Sequence, residues 1–446
     1  MEFSYFTRKR DLEKLNGSFF DVVIVGGGIA GAGIASLLSS NKVKVLLVDK
    51  GDFASGTSSN SSKLIHGGLR YLAQGHLLLT RELLKERNYL VRNVDIVQPM
   101  KFDILIDVDS WGKKTLYMGL LLYNILGGKF RLPNFIKGKY SYDGYSGHFT
   151  YEDAATDDAL LVVYNVATFV KLGGTAINYL EATRIKDTEK GVEITLKDKF
   201  DMGEYSVSGK IVLNATGPWV NEIYGSYTSE RINNLQLTRG AHIIVRKDKL
   251  SLDNAVVFRS HLDGRQMFVI PRGEVVLIGT TDDFTERPDS LTVKNEEREY
   301  ILNSAWKIFP SLTSEDVVGE YVGIRPLYGK GSDPGRVTRD FYVDVTGRMV
   351  TVMGVKITNY RNAARKIARR LGRILNVDLK VDGLPLILYK REGDEIDSAL
   401  RNECALTVDD VLKRRVGHFY FKTDQGRSTV EGIKKRIEDY FKTDVK

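Results

Sequence analysis

The tightest constraint on this chain is a set of glycines between two apolar runs. Residues 22–25 (VVIV) are a short β-branched run, and Gly26, Gly28 and Gly31 follow it at the spacing G-x-G-x-x-G. Residues 29–40 then have the composition of a helix, and residues 43–48 form a second apolar run that ends at Asp49. A short apolar run closed by glycine reads as a buried parallel strand. Each glycine in such a turn has its own task. The first permits the tight turn, the second lets a pyrophosphate approach the backbone, and the third brings helix against strand. The start of the helix offers N–H groups and the positive end of its dipole to phosphate. Asp49 stands where a carboxylate accepts from ribose hydroxyls. Residues 21–49 therefore read as a βαβ unit binding the ADP half of a dinucleotide. The fingerprint alone leaves NAD and FAD open; the acid at position 49 disfavours NADP, whose 2′-phosphate it would repel.

A chain of 446 residues is too long for one small core. With 42% hydrophobic and 27% charged residues it reads as soluble and globular. The net charge of +8 points to anionic partners, such as a phosphorylated substrate or a membrane surface, although it also simply aids solubility. No zinc-finger or RNA-binding signature supports nucleic acid. The one cysteine, Cys404, rules out an internal disulfide and a cysteine-ligated metal, and no metal site is expected. Arg8, Lys9, Arg10, Asp11, Glu13 and Lys14 precede any apolar run, which is not the order of a secretory signal. The uncharged stretch 22–41 is rich in glycine and reads as strand, turn and helix. Residues 115–128 are too short to span a bilayer and are flanked by Lys113, Lys114, Lys129 and Arg131. Neither a signal peptide nor a transmembrane helix is expected.

Along the chain, residues 54–62 form a loop of small polar residues, followed by Leu79, Leu83, Leu84 and Leu90 at helical spacing. A second βα pattern begins at 157, with a helix over 157–172 stopped by Gly173-Gly174 and a strand from 175 to 179. Residues 192–196 and 205–207 read as a meander, and 211–213 as a separate buried strand running into Asn214-Ala215-Thr216-Gly217. Residues 235–282 alternate as strands, at 241–245, 267–270 and 275–278, before the α/β pattern returns at 349–353. In the helix that follows, Ala363, Ala364, Ile367, Ala368, Leu371, Ile374 and Leu375 fall between about 200° and 340° around the axis. Arg365, Lys366, Arg369, Arg370 and Arg373 occupy the opposite face. Near the C-terminus Thr407 precedes Asp409-Asp410 as a cap, and Ser428 with Glu431 predicts a capping box ahead of Ile433 and Ile437. The fold class expected is α/β with α+β: a Rossmann-like domain over 19–95, 150–220 and 340–376, interleaved with a β-rich substrate domain over 96–149 and 221–339. A short helical domain over 384–446 completes it.

Beyond Asp49 the chain reads GTSSNSSKLIHGGLRYL (56–72), which resembles the FAD-dependent glycerol-3-phosphate dehydrogenases, a branch of the glycine-oxidase-like flavoenzymes. Further blocks match in order: NATGPW (214–219), RGAHIIV (239–245), IGTTDD (278–283), GIRPL (323–327), VTRDF (337–341), MGVKITNYR (353–361) and ALTVDDVLKRR (405–415). The resemblance implies FAD held non-covalently and oxidation of sn-glycerol 3-phosphate to dihydroxyacetone phosphate, by hydride transfer from C2 to flavin N5. Electrons then pass to a membrane quinone or other acceptor. It implies a cationic substrate pocket of Arg70, Arg325 and Arg339 with Tyr71 beside it, where planar guanidinium forks suit phosphate. It makes His242 the candidate base and sets Lys356 against the flavin; Arg325 and Lys356 join His242 in the catalytic set. Cofactor contacts are implied for Asp49, Lys50, Thr57, Ser58, Ser59, Ser62, Lys63 and Leu64, and for His66, Gly67 and Gly68 in the following turn. Ala215, Gly217, Arg325, Gly354, Lys356, Ile357 and Thr358 complete the cofactor set. His66 is assigned chiefly a structural role in that turn.

The chain departs from the family at Val355, where a second glycine is common, at Asn359 (threonine) and at Leu160 (arginine), and its C-terminal region is short. Quinone reduction implies a cytoplasmic protein peripheral on the inner face of the cytoplasmic membrane. Attachment is expected through basic surface, aided by a separate anchoring protein, with a dimer left open. Competing readings are a glycerol-3-phosphate oxidase releasing hydrogen peroxide, a related 2-hydroxy-acid or amino-acid oxidoreductase, and a flavin-binding partner without turnover.

Overall fold

The computed structural model describes residues 2–107, 110–138, 145–250, 252–329, 331, 341–382 and 387–443. Phe19–Val25 forms the first strand of an eight-stranded sheet. Its neighbours in order are Tyr342–Thr346, Met349–Met353, Glu204–Asn214, Phe19–Val25, Val45–Val48 and Thr175–Ile177. From Met349–Met353 to Thr175–Ile177 the pairing is parallel. Successive residues of the first strand serve two cores, as the period of two requires. Val22 and Ile24 face the helices Ile29–Ser40, Asp158–Lys171 and Tyr360–Leu375. Val23 and Val25 face the opposite layer, which holds Ile185, Ile194, Val207, Ile223 and Tyr224. Burial on both faces explains why these strands read as unbroken apolar runs.

The two strands expected at 205–207 and 211–213 are one strand, Glu204–Asn214. Gly209 pairs antiparallel with Val192 and parallel with Phe20, so the strand passes from meander to parallel sheet without a break.

The second sheet has ten strands and is antiparallel except where Ala255–Arg259 runs parallel to Gln98–Asp107. Its long central member, Leu235–Arg246, pairs along one edge with Val317–Tyr328, and along the other with Asp283–Thr285 and then Val275–Gly279. The C-terminal helices Glu395–Asn402 and Val430–Lys442 pack about Leu400, Val411, Ile433 and Ile437. Thr407 caps as expected, accepting from the Asp410 N–H at 3.2 Å. The expected capping box does not form: Ser428 lies in a 3₁₀ turn, Arg427–Thr429, whose 428 N–H donates to Asp424, and the helix starts two residues later without a side-chain cap. The architecture is a Rossmann-like α/β unit interleaved with a β-rich sheet and a C-terminal helical segment.

Candidate active site

The fingerprint turn is built as its chemistry demands. Gly26 has φ +110°, and a side chain there would lie 2.6 Å from the Ala215 carbonyl oxygen on the adjacent strand. At Gly31 a Cβ would meet the Gly26 carbonyl oxygen at 1.9 Å, so only glycine lets the helix close on the turn. The Asp49 carboxylate accepts from the N–H of Gly27 at 2.7 Å and of Gly51 at 2.9 Å. Burial nevertheless pushes its carboxyl up to about 6, against those donors. Ser58 Oγ accepts from the Ile29 N–H at 3.1 Å and so sits at the start of the helix.

A cavity of about 2310 Å³ extends from this turn between the two sheets. It exceeds the 300–1,000 Å³ typical of a small-molecule pocket and has room for a dinucleotide beside a substrate. Gly26, Gly28, Asp49 and Lys50 line it, with Thr57, Ser58, Ser62, Leu64, His66 and Gly68. Ala215, Gly217, Gly354, Ile357 and Thr358 also face it, as do Arg70, Tyr71, Arg325 and Lys356. Lys50 stands over the Trp219 ring at 4.6 Å on the rim, and the His66 N–H donates to Thr358 Oγ1 at 3.2 Å. The Lys356 ammonium lies 4.6 Å from the centre of the Tyr71 ring. Residues expected on the substrate side and on the cofactor side thus line one cavity.

Four residues assigned to the cofactor lie behind the wall. Gly31 is in the packed turn, and Ser59 is buried. Gly67 is wedged against Leu84 and Tyr123 and donates to Asp153 at 3.0 Å. Lys63 is fully buried; its ammonium bonds Asp158 at 2.6 Å and lies 3.6 Å from the Tyr420 ring centre. Asp158 also accepts from the Ser61 hydroxyl at 2.6 Å, so the Lys63–Asp158 pair braces the serine loop from beneath.

His242 is also set back from the cavity. It is 2% exposed, and its ring stacks on Tyr321 with centroids 4.8 Å apart. Its Nε2 is 2.9 Å from Ser62 Oγ, and Ser62 is the member of that pair on the cavity wall. Burial, then the charges of Arg325 and Lys63, push the imidazole down to about 3, so it is neutral at ordinary pH. Arg325 is held by Asp282 at 3.0 Å and Thr280 at 3.1 Å. Sequence reasoning gave neither partner a role, although both lie in the quoted block IGTTDD. Arg339 lies outside the described residues.

The sequence model of the family described as FAD dependent oxidoreductase matches residues 21–354. The chain belongs to that family. An aerobic glycerol-3-phosphate dehydrogenase of Staphylococcus epidermidis is 36% identical over 414 residues, covering 87% of this chain and 74% of the relative. That of Staphylococcus aureus is 34% identical over 397 residues, covering 85% and 71%. Among solved structures, glycerol-3-phosphate dehydrogenase from Bacillus halodurans complexed with FAD aligns with a TM-score of 0.79 at 23% identity, over 98% of this chain and 94% of that one. L-α-glycerophosphate oxidase from Mycoplasma pneumoniae with FAD bound aligns at 0.66 and 20% identity, over 84% and 100%. This FAD-dependent oxidoreductase is thus closely related to aerobic glycerol-3-phosphate dehydrogenases, and its FAD is held non-covalently. The residues present fit the cofactor: a glycine cradle shaped for pyrophosphate, an acid beside it, and a cavity long enough to continue past Ser58 to Lys356.

Proposed function

We propose that this enzyme oxidises sn-glycerol 3-phosphate to dihydroxyacetone phosphate and delivers the electrons to a quinone-type acceptor at a membrane surface. One observation carries the reading. Arg70, Arg325 and Lys356 line the same cavity as Ser62, which is hydrogen-bonded to His242. That set supplies a clamp for a phosphate dianion and a proton acceptor for a secondary alcohol. The names of the relatives support the substrate. When bound, FAD supplies the acceptor for the two electrons removed with the C2 hydrogen.

In this reading Arg325 binds the phosphate, aided by Arg70 and by Arg339. Lys356, steadied over Tyr71, orients the substrate hydroxyl. The hydroxyl proton passes to Ser62 Oγ as the Ser62 proton moves to Nε2 of His242. A neutral imidazole has a lone pair free to accept it. The burial and the Arg325 and Lys63 charges that keep it neutral also make the imidazolium costly. A phosphate dianion on Arg325 would offset part of that cost.

The membrane part of the reading rests on the mouth of the cavity. Leu77, Met118, Leu122 and Ile125 line it and are substantially exposed, and Phe130 (83% exposed) and Leu132 follow the helix Ser110–Leu126. Lys113, Lys114, Lys129 and Arg131 flank this apolar edge, an arrangement suited to anionic lipid and an apolar acceptor. No helix among the described residues is long and apolar enough to cross a membrane. We place the protein on the inner face of the cytoplasmic membrane, with a separate anchoring protein assisting and a dimer left open. The deciding test is anaerobic mixing of the yellow holoenzyme with glycerol 3-phosphate. Bleaching is expected; an unchanged spectrum, or bleaching by lactate or an amino acid instead, defeats the substrate assignment. Oxygen uptake against quinone reduction then separates dehydrogenase from oxidase.

A further inference from the structure

The strand Leu235–Arg246 and its partner Val317–Tyr328 place Thr238 opposite Arg325 and Gly240 opposite Gly323. Arg325 is therefore diagonal to Gly240 on one face of the sheet, and its side chain crosses the strand at that glycine. A Cβ built on Gly240 would lie 2.1 Å from Arg325 Nη2 and 2.6 Å from both Cζ and Nη1. Gly240 sits within a strand and its backbone calls for no left-handed conformation, so the demand for glycine is one of space. Two side chains hold the guanidinium in that place. Asp282 Oδ1 accepts from Nη1 at 3.0 Å, and Thr280 Oγ1 accepts from Nη2 at 3.1 Å. The Thr280 hydroxyl donates its own proton to the Thr281 carbonyl at 3.0 Å, which turns its lone pairs toward the guanidinium. Thr280 and Asp282 both line the cavity.

We propose that Gly240, Thr280 and Asp282 are positioning residues that fix the plane of the Arg325 guanidinium for two-point recognition of a phosphate. The inference rests on the reading of Arg325 as phosphate clamp. A planar fork binds two phosphate oxygens only when its plane is aimed at them, so orientation is worth as much as charge. The seat acts first on binding of the anion, because the three residues meet the Arg325 guanidinium itself. The chemical step feels it only through the Arg325 charge on His242.

The test compares holoenzymes of wild type, Gly240→Ala, Thr280→Val and Thr280→Ser, matched for flavin content. Each is titrated with inorganic phosphate by flavin difference spectrum and with glycerol 3-phosphate in anaerobic stopped flow. Gly240→Ala is expected to weaken both affinities about tenfold, with the limiting rate of flavin reduction within about threefold. Thr280→Val should weaken them several-fold, and Thr280→Ser, which keeps the acceptor, should restore wild-type values. The inference is overturned if Gly240→Ala and Thr280→Val both bind phosphate within twofold of wild type. It is equally overturned if Thr280→Ser loses as much as Thr280→Val, or if the limiting rate falls while affinity holds. Should Gly240→Ala not retain flavin, the two threonine variants decide. A wild type that glycerol 3-phosphate does not reduce defeats the functional reading, while the phosphate titrations still judge the seat.

Discussion

At the scale of single residues, the buried carboxyl of Asp49 predicts a pH limit on cofactor binding. Its carboxyl titrates near 6 in the folded chain, above its ordinary 3.8, because burial outweighs the N–H donors of Gly27 and Gly51. A carboxyl raised on folding stabilises the fold in acid, and that contribution is lost as pH rises through 6. The carboxylate is the stronger acceptor for ribose hydroxyls and offers both oxygens, one of which protonation turns into a donor. FAD binding is therefore expected to be full above pH 6 and to weaken below it, so the rise in melting temperature on adding FAD to apoprotein should shrink between pH 8 and pH 5. Asp49→Asn should bind FAD about tenfold more weakly at pH 8 and lose this pH dependence; an Asn variant that keeps it would assign the effect elsewhere. His242 is displaced the other way, to about 3, by burial and by its cationic neighbours. It stays neutral across the working range, and its route to the cavity is Ser62. Ser62→Ala is accordingly expected to slow flavin reduction by about a hundredfold with the half-saturating substrate concentration little changed. Stopped-flow rates equal to wild type would remove Ser62 from the proton path.

At the scale of elements, the helix Tyr360–Leu375 shows how a face legible in sequence acquires partners that are not. Of its apolar stripe, Ala363, Ala364, Ile367, Ala368 and Leu371 are buried as the spacing predicts, whereas Ile374 in the last turn is 42% exposed. The basic face is another matter: Arg361 and Arg365 both bond Glu86, at 3.0 Å each, from a residue far away in sequence. Glu86→Ala would strand a buried guanidinium and should cost about 3–5 kcal/mol. Lys366→Ala, at the exposed pair with Glu82, should cost no more than about 1 kcal/mol. Thermal unfolding distinguishes them, and equal small losses would show that Glu86 is dispensable. The same contrast runs through the fold. Met349–Met353 stands where its apolar run placed it. Gln98–Asp107 carries no clear strand signal in sequence, because Pro99 and Asp103 interrupt its apolar pattern. Asp103 is tolerated in the interior because Thr150 and Asn254 donate to it, and both are distant in sequence. The glycine cradle was legible because its chemistry is local; the Asp282–Arg325 contact was not, because two strands must pair before it exists.

At the scale of the whole molecule, two units converge on the residues that follow the fingerprint. From the second sheet, the Tyr321 hydroxyl donates to the Ser61 carbonyl at 2.9 Å, and Ile324 accepts from the Thr57 hydroxyl. From the C-terminal segment, Arg414 and Arg415 reach Asp52, at 2.7 Å and 2.9 Å, in the loop that begins at Asp49. Burial alone would raise the Asp52 carboxyl, but Arg415 and Arg414 hold it below the ordinary carboxylate range. Its stabilising effect is thus present above pH 3.8 and lost as pH falls through its lower folded value. Asn178 completes the network, donating to Asp52 at 3.0 Å and to the Cys404 carbonyl at 3.0 Å. The block 405–415, remote from this loop in sequence, thereby braces the loop that begins at Asp49. A brace of this kind is reciprocal: whatever ordering it lends to cofactor binding, bound cofactor must return to it. Adding FAD to apoprotein should therefore slow amide hydrogen exchange at residues 410–415 as well as in the loop. Asp52→Asn removes the charge that Arg414 and Arg415 share, while Arg414 keeps Asp410 and Arg415 keeps the Glu403 carbonyl. It should abolish that slowing at 410–415, lower stability by about 2–3 kcal/mol and weaken FAD binding. Exchange at 410–415 that ignores FAD in the wild-type chain would mean that the C-terminal segment stabilises the fold without communicating with the site.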